Sequence, residues 1–476
     1  MSRPSLFYAS CLLGASILTA QPGGIDQADF PASEFQERRA KVFDRIGNNA
    51  IAVIQGASFA DAFPVFRQSN DFYYLSGIAA PHSYLLLDGR TRKTTVFLPH
   101  RDTQRDRQTG AQVSAEDAAL VVERAGVDEV QGVEALARHL AAMQVRPPPP
   151  TIYSPFSPAE GVGGSRDEML QVAAGIASDP WDGRETRTGR FVSLIRERFP
   201  TFEVRDLSPI LDPLRLVKSP REISLIRRAS RIAGLAIMEA IRGTKPGLFE
   251  YQLEAAARYV FLLNGARHEG YPAIVGGGTN AWYGHYHSNT SELKDGDLVL
   301  FDYAPDYHYY TSDVTRMWPV NGKYTPDQRM LCGFILAYRE ALLKRIRPGV
   351  TADQILEGAK AEMEPIWRAT PFSKETYREA AKGALTFRGH LSHPVGMTVH
   401  DPGSYQKMTL VPGLVFSIDP MIWIPEEKLY VRMEDVVAVT ETGVENFTDF
   451  LPSKPDDIEK LMREEGILQL RPAIGR

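Results

Sequence analysis

Cysteine is almost missing from this 476-residue chain, which has two, Cys11 and Cys332. So low a count excludes a disulfide scaffold and a structural zinc site built on thiolates. Charge of one sign is scarce as well. A net charge of -5 gives no electrostatic footprint for nucleic acid, and the most basic stretch, RDTQRDRQ at 101–108, interleaves aspartates with its arginines as a solvated face does. GVGGS at 161–165 lacks the lysine of a phosphate-binding loop, and no short tandem repeat points to a solenoid. Long apolar runs are confined to the N-terminus, where MSRPS precedes LFYASCLLGASILTA, ending at Ala20. That order of parts predicts a secretory signal peptide over 1–20, too short for a membrane span and with no second span after it. The expected mature chain is secreted or periplasmic, with no stable membrane insertion. The alternative reading of the segment is an N-terminal helix or anchor, and the alternative location, without a signal peptide, is cytoplasmic. Removing it would leave Cys332 alone, so stability must come from a core rather than from disulfides.

What is present is the composition of an ordinary globular protein, 43% hydrophobic and 24% charged. At about 150 residues per domain the length predicts two or three units. Residues 34–210 alternate strand-like runs (AIAVIQG, SYLLLDG, TTVFLP, TIYSPF) with helical spacing in VEALARHLAAM, which makes an α/β domain. PPPP at 147–150 is an extended connection within it. A boundary falls near SPILDPLRLVKSP. There Ser219, Pro220 and Glu222 form a capping box with proline at the first helical position, so a helix starts at EISLIRRASRIAGLAIMEAI. A second helix (YQLEAAARYVFLLNG), a strand and hairpin region to about 320, two helical stretches between 325 and 370, and strands to about 447 follow. The expected division is 1–20 signal peptide, 21–210 N-terminal domain and 211–476 catalytic domain.

Seven of the ten histidines (His268, His285, His287, His308, His390, His393, His400) lie between 268 and 400. The same third holds FDYAPDYHYYTSDVTR, where an apolar strand ends in Asp302 and Asp313 follows eleven residues later. A hairpin whose turn is centred on Tyr307 and His308 would set the two aspartates opposite each other on one face. Two carboxylates forced together either share a proton or bind a cation. GLVFSIDP ends another apolar strand in Asp419, and in YVRMEDVVAV the two-residue spacing of Arg432 and Glu434 projects both to one face, with Arg432 placed to orient an acidic ligand. His393 is the best neutral nitrogen donor. Four carboxylates and one imidazole form a hard, oxygen-rich set that suits manganese or a similar divalent ion, two of them if the carboxylates bridge.

These residues, in this order, resemble the pita-bread metallopeptidases, and within them the Xaa-Pro aminopeptidase (aminopeptidase P) family. IVGGGTN, GHYHSN, KDGDLVLFD, TSDVTRMWPVNGKYTPDQR, LSHPVGMTVHD and RMEDVVAVTETGVENFT read like its signature segments, and FRQSNDFYYLSG at 66–77 resembles its N-terminal domain. The likeness covers about 35 to 450. It implies an α/β creatinase-like N-terminal domain followed by an α+β pita-bread catalytic domain. It also implies a dinuclear site held by Asp302, Asp313, His393, Asp419 and Glu434, with two divalent ions, most naturally Mn2+, with Co2+ or Zn2+ as alternatives. His285 and His400 match histidines that contact substrate and stabilise the transition state. The implied reaction is attack by a metal-bridging hydroxide on the bond before proline, with Asp419 shuttling the proton and Arg432 beside it. Proline-containing peptides are the implied substrates, and a homodimer or homotetramer the implied assembly.

Two positions depart from the family pattern. Asp419 stands where glutamate is expected, which draws the carboxylate back by more than about an ångström. Gly389 stands where a histidine four residues before the metal histidine is expected, with His390 beside it. His393 and His400 are an odd number of residues apart, so Gly396 is expected to mark a bulge or bend that turns both toward one site. A prolidase-like dipeptidase and a peptide-binding pseudoenzyme weakened by Asp419 and Gly389 are the alternatives.

Overall fold

The computed structural model describes residues 22–25, 28–59, 65–145 and 150–471. The predicted signal peptide and most of the PPPP run lie outside the described residues. The N-terminal part is a six-stranded mixed sheet in the order β4-β3-β2-β1-β5-β6, made of β1 (Ala50–Gln55), β2 (Tyr84–Asp88), β3 (Lys93–Leu98), β4 (Glu129–Gly132), β5 (Thr151–Ser154) and β6 (Val204–Asp206). The first, second, third and fifth strands coincide with the four predicted runs to within a residue or two. Burial explains why they were legible: Ile51, Ala52 and Val53 are fully buried because helices cover the sheet, so the strand reads as a continuous apolar run. RDTQRDRQ forms most of a short helix, Thr103–Thr109, with no buried residue, as a solvated face requires.

The helix Pro220–Gly243 opens the second part. Its capping box is present, with Glu222 Oε2 accepting from the Ser219 amide at 2.8 Å. The helices Glu250–Leu263, Pro326–Leu343 and Ala352–Ala369 match the expected ones, and a further helix, Glu375–Ala384, was not foreseen. These helices cover small antiparallel sheets. β7 (His268–Glu269) pairs with β10 (Pro305–Asp306); β8 (Ile274–Gly277) and β11 (Thr315–Pro319) flank β9 (Leu298–Asp302). β12 (Leu391–Pro394), β13 (Val415–Ile418), β16 (Asp435–Val439) and β17 (Val444–Asn446) form a four-stranded sheet, and β14 (Met421–Ile424) pairs with β15 (Leu429–Arg432). Reciprocal backbone bonds between Thr315 and Glu434, at 3.3 and 3.1 Å, join β11 to the start of β16.

The hairpin prediction needs a correction. Asp302 pairs with Thr315, not Asp313, and the tip bridge joins Tyr307 to Tyr310, so the turn is centred one residue later than expected, with His308 and Tyr309 both at positive φ. The partner of Asp302 therefore moves by two residues, which preserves the face because the side-chain period is two. Asp302 and Asp313 still converge.

One hydrophobic cluster runs across the two parts, packing Phe35, Val42 and Phe72 with Ile226, Val395 and Val436. Arg215 ties the parts together in a largely buried ion cluster, reaching the partly exposed Asp71 (2.9 Å) and the buried Glu160 (2.7 Å) and Asp401 (2.7 Å), while Lys218 takes the other oxygen of Asp401 at 2.8 Å. Among the described residues no helix is long and apolar enough to cross a membrane. Cys332 is buried and free.

Candidate metal centre

Asp302 sits at the end of β9, Asp313 beyond the tip of the same hairpin, His393 in β12, Asp419 after β13 and Glu434 just before β16. All four carboxylates are 5% exposed or less, too buried for surface residues. Asp302, Asp313, His393 and Asp419 line one cavity of about 270 Å³ with His285, His287, His400, Tyr271, Glu168 and Arg432, and Glu434 joins the group through its contact with Arg432. His393 Nε2 lies 3.2 Å from Asp313 Oδ2. Tyr271 donates its hydroxyl to Asp302 Oδ1 at 2.6 Å, with Asp313 Oδ1 at 3.0 Å. Thr315 Oγ1 donates to Glu434 Oε2 at 3.0 Å, and the buried Glu434 Oε1 has no hydrogen-bond partner.

Arg432 is placed more centrally than a residue that merely orients one ligand. Its Nε donates to Asp419 at 2.8 Å, one terminal nitrogen donates to Asp302 at 2.9 Å, and the other contacts Glu434. Asp419 and Asp302 are thus held by a guanidinium, while Asp313, His393 and Glu434 bring one ligand atom each to within 4.8 Å of one another. One guanidinium cannot neutralise four buried carboxylates, and the titration of the acids reflects it. Burial pushes Asp302 up to about 7 against the opposing charge of Arg432, and raises Asp419 and Glu434 as well. Burial acts on Asp313 in the same sense, but the bond and charge of His393 hold it down at about 2. Missing positive charge, an orphaned carboxylate oxygen and a donor set of oxygens with one imidazole all fit divalent cations.

The histidine cluster divides. His285, His287, His393 and His400 line the cavity. The His393 and His400 rings are 4.2 Å apart, and His400 Nδ1 lies 2.8 Å from Asp167 of the N-terminal part. His268 lies in β7, and His308 pairs with Asp29 at 2.7 Å. His390 points away from the cavity, its Nε2 bonded to the Ala384 carbonyl at 2.7 Å and its ring edge-on to Tyr338 and Phe387. It does not stand in for a histidine at 389. At Gly389 a Cβ would come within 2.5 Å of the Phe387 ring, which takes up that space.

The prediction for Gly396 also needs adjusting. The strand irregularity falls earlier, between Leu391 and Pro394, while Gly396 begins a bend through 396–400 in which a Cβ would press on the Asp401 carboxylate at 2.5 Å. Both features together turn His393 and His400 to the same cavity. The sequence-based residue set missed Tyr271, His287, Asp167 and Glu168. His287, two residues from His285, was recoverable from that spacing; Asp167 and Glu168 belong to a helix-capping box that carries no sign of a site, and Tyr271 to a segment with no motif of its own.

A two-part chain with an acid-lined cavity in its second part is the plan of a metallopeptidase, and the chain belongs to one such family. The model for metallopeptidase family M24 matches residues 224–441, and that for the aminopeptidase P N-terminal domain matches residues 35–153. The chain is 31% identical over 456 residues to the Xaa-Pro aminopeptidase of Escherichia coli (strain K12), a match covering 91% of this chain and 98% of that one. It is 26% identical to the Xaa-Pro dipeptidase of Homo sapiens, covering 92% and 95%. The solved structure of aminopeptidase P from E. coli with the inhibitor Pro-Leu superposes with a TM-score of 0.72 at 28% identity, over 91% of this chain and 98% of that one.

Proposed function

We propose that this protein is a metal-dependent aminopeptidase that removes the N-terminal residue from peptides with proline in second position. The observation that carries the proposal is the convergence of Asp302, Asp313, His393 and Asp419 on one cavity, with a Glu434 oxygen within 4.8 Å of the ligand atoms of Asp313 and His393, in a chain similar over nearly its full length to Xaa-Pro aminopeptidases. Asp313, His393 and Glu434 would hold one ion, and Asp302 with Asp419 would hold the second. The hard donor set favours Mn2+, with Co2+ and Zn2+ as alternatives. When bound, such ions supply Lewis acidity and a water of lowered pKa.

The chain's own residues supply the rest. His285 and His400 flank the cavity and can donate to the carbonyl oxygen as negative charge develops on it. Asp419 is the acid placed to carry a proton to the proline nitrogen, which has no hydrogen of its own and leaves as a secondary amine. Arg432 orients Asp419 and Asp302 from their inner side. We further infer export of the mature chain from segment 1–20, domains divided at about 210, and assembly as a homodimer or homotetramer.

The deciding experiment is hydrolysis of an Xaa-Pro-Xaa tripeptide, an Xaa-Pro dipeptide and an Xaa-Ala-Xaa control by metal-stripped protein titrated with Mn2+, Co2+ and Zn2+. Release of the first residue from the proline tripeptide, dependent on metal, is expected. Cleavage of the dipeptide alone would make it a prolidase. The reading of a peptide-binding pseudoenzyme draws on Asp419 being held by Arg432, and predicts no turnover by the native chain but large activity in Asp419→Glu.

A further inference from the structure

We infer that Asp167, contributed by the N-terminal part, is a positioning residue for His400, so that the cavity is complete only when the two parts are docked. The inference rests on the peptidase reading above. His400 lies at the end of the bend 396–400, outside any strand ladder, so no sheet hydrogen bonds fix its backbone. Thr398 Oγ1 holds its carbonyl locally at 3.2 Å, and two contacts from the opposite part hold its amide and its ring. The His400 amide donates to Ser165 Oγ at 3.1 Å, and its Nδ1 lies 2.8 Å from Asp167 Oδ2. Ser165 and Asp167 are the N-cap and second residue of the helix Arg166–Ser178, whose capping box locks their geometry.

The chemistry of the pair is directional. A carboxylate only accepts, so Nδ1 carries a hydrogen toward Asp167, and Nε2 is the ring nitrogen left to face a peptide: an acceptor in the neutral ring and, once the ring takes up a second proton, the donor that the developing negative charge needs. Without Asp167 the ring is free to rotate or change tautomer, although nothing in contact with the metal ligands has been removed. Partners of this kind, which hold a functional histidine by its other nitrogen, change activity by about 10- to 100-fold when lost.

Two measurements test the inference independently. The first is a double-mutant cycle of Asp167→Asn and His400→Ala on the metal-loaded enzyme with an Xaa-Pro-Xaa tripeptide, with Asp167→Glu as the conservative variant. Asp167→Asn is expected to lower kcat/KM by about 10- to 100-fold, chiefly through kcat, with partial recovery in Asp167→Glu and no further loss in the His400→Ala background. Equal losses in both backgrounds would mean that Asp167 serves domain docking alone, and would overturn the inference. The second is 1H–15N NMR of histidine-labelled, zinc-loaded protein, which reads no turnover. A hydrogen-bonded Nδ1 proton on His400, lost in Asp167→Ala, which offers no oxygen to accept it, is expected. An Nδ1 signal unchanged by the substitution would sink the inference. If the native protein cleaves no proline peptide, the peptidase reading fails and the NMR result still decides whether Asp167 positions His400.

Discussion

Asp302, Asp419 and Glu434 are acids that burial drives toward the protonated form, and this makes the protein's stability a function of both pH and metal. An acid whose pKa is raised by folding binds more protons folded than unfolded between its two pKa values, so stability falls as pH rises through that window. For Asp302 the window runs from about 3.9 to about 7. Asp313, held at about 2, works the other way, but its contribution is lost only as pH falls below the ordinary aspartate range. Divalent cations replace the protons and bind better as the ligands ionise. Melting of EDTA-treated and Mn2+-loaded protein from pH 5 to 8 should therefore show a Tm gap that widens with pH. A gap that is constant or narrows would rule out these carboxylates as the ligands. At this scale the sequence was informative: an ionisable residue ending an apolar strand conflicts with its surroundings, and Asp302 and Asp419 are visible by that conflict, whereas Glu434 is picked out by its two-residue spacing from Arg432. Arg432's grip on three of the acids was not, because one side chain spanning three segments leaves no local pattern.

Among the elements, the hairpin 298–319 and the bend 396–400 carry the site. The hairpin's tip was placed one residue early, yet the convergence of Asp302 and Asp313 survived because slipping the partner by two residues returns each side chain to its original face. The bend was anticipated at Gly396, but the irregularity in β12 that begins the turn lies at Leu391–Pro394, among residues that carry no bulge signature. Gly396 is needed for space. A Cβ there would meet Asp401 at 2.5 Å and Lys218 at 2.9 Å, and both side chains are locked in the buried ion cluster. Gly396→Ala should cost about 1–3 kcal/mol and displace His400. Thermal melts and kcat together check this: a variant with unchanged Tm and kcat would show that the bend yields freely.

Across the whole molecule, the ion cluster around Arg215 makes the parts one unit. Removing one member of a buried ion pair leaves the others uncompensated, at a cost of about 3–5 kcal/mol. Arg215→Ala leaves Asp71 and Glu160 with Arg166, and Asp401 with Lys218, as their remaining cationic partners and loosens the segment next to His400, so both stability and kcat should fall. Chemical denaturation with a parallel activity assay checks this. Loss of stability with full residual activity would separate the cluster from the site.

The sequence by itself determined the two-part plan, the strands of the first sheet and the long capped helix after Ser219, because each is written in local periodicity or capping chemistry, and it singled out the five candidate ligands through strand-end acids and a family likeness. Only the tertiary structure decided the hairpin register, the outward turn of His390, the central seat of Arg432 and the reach of Asp167 to His400. Those depend on contacts between segments as many as 233 residues apart, and such contacts are set by how packed elements meet rather than by the residues on either side of them.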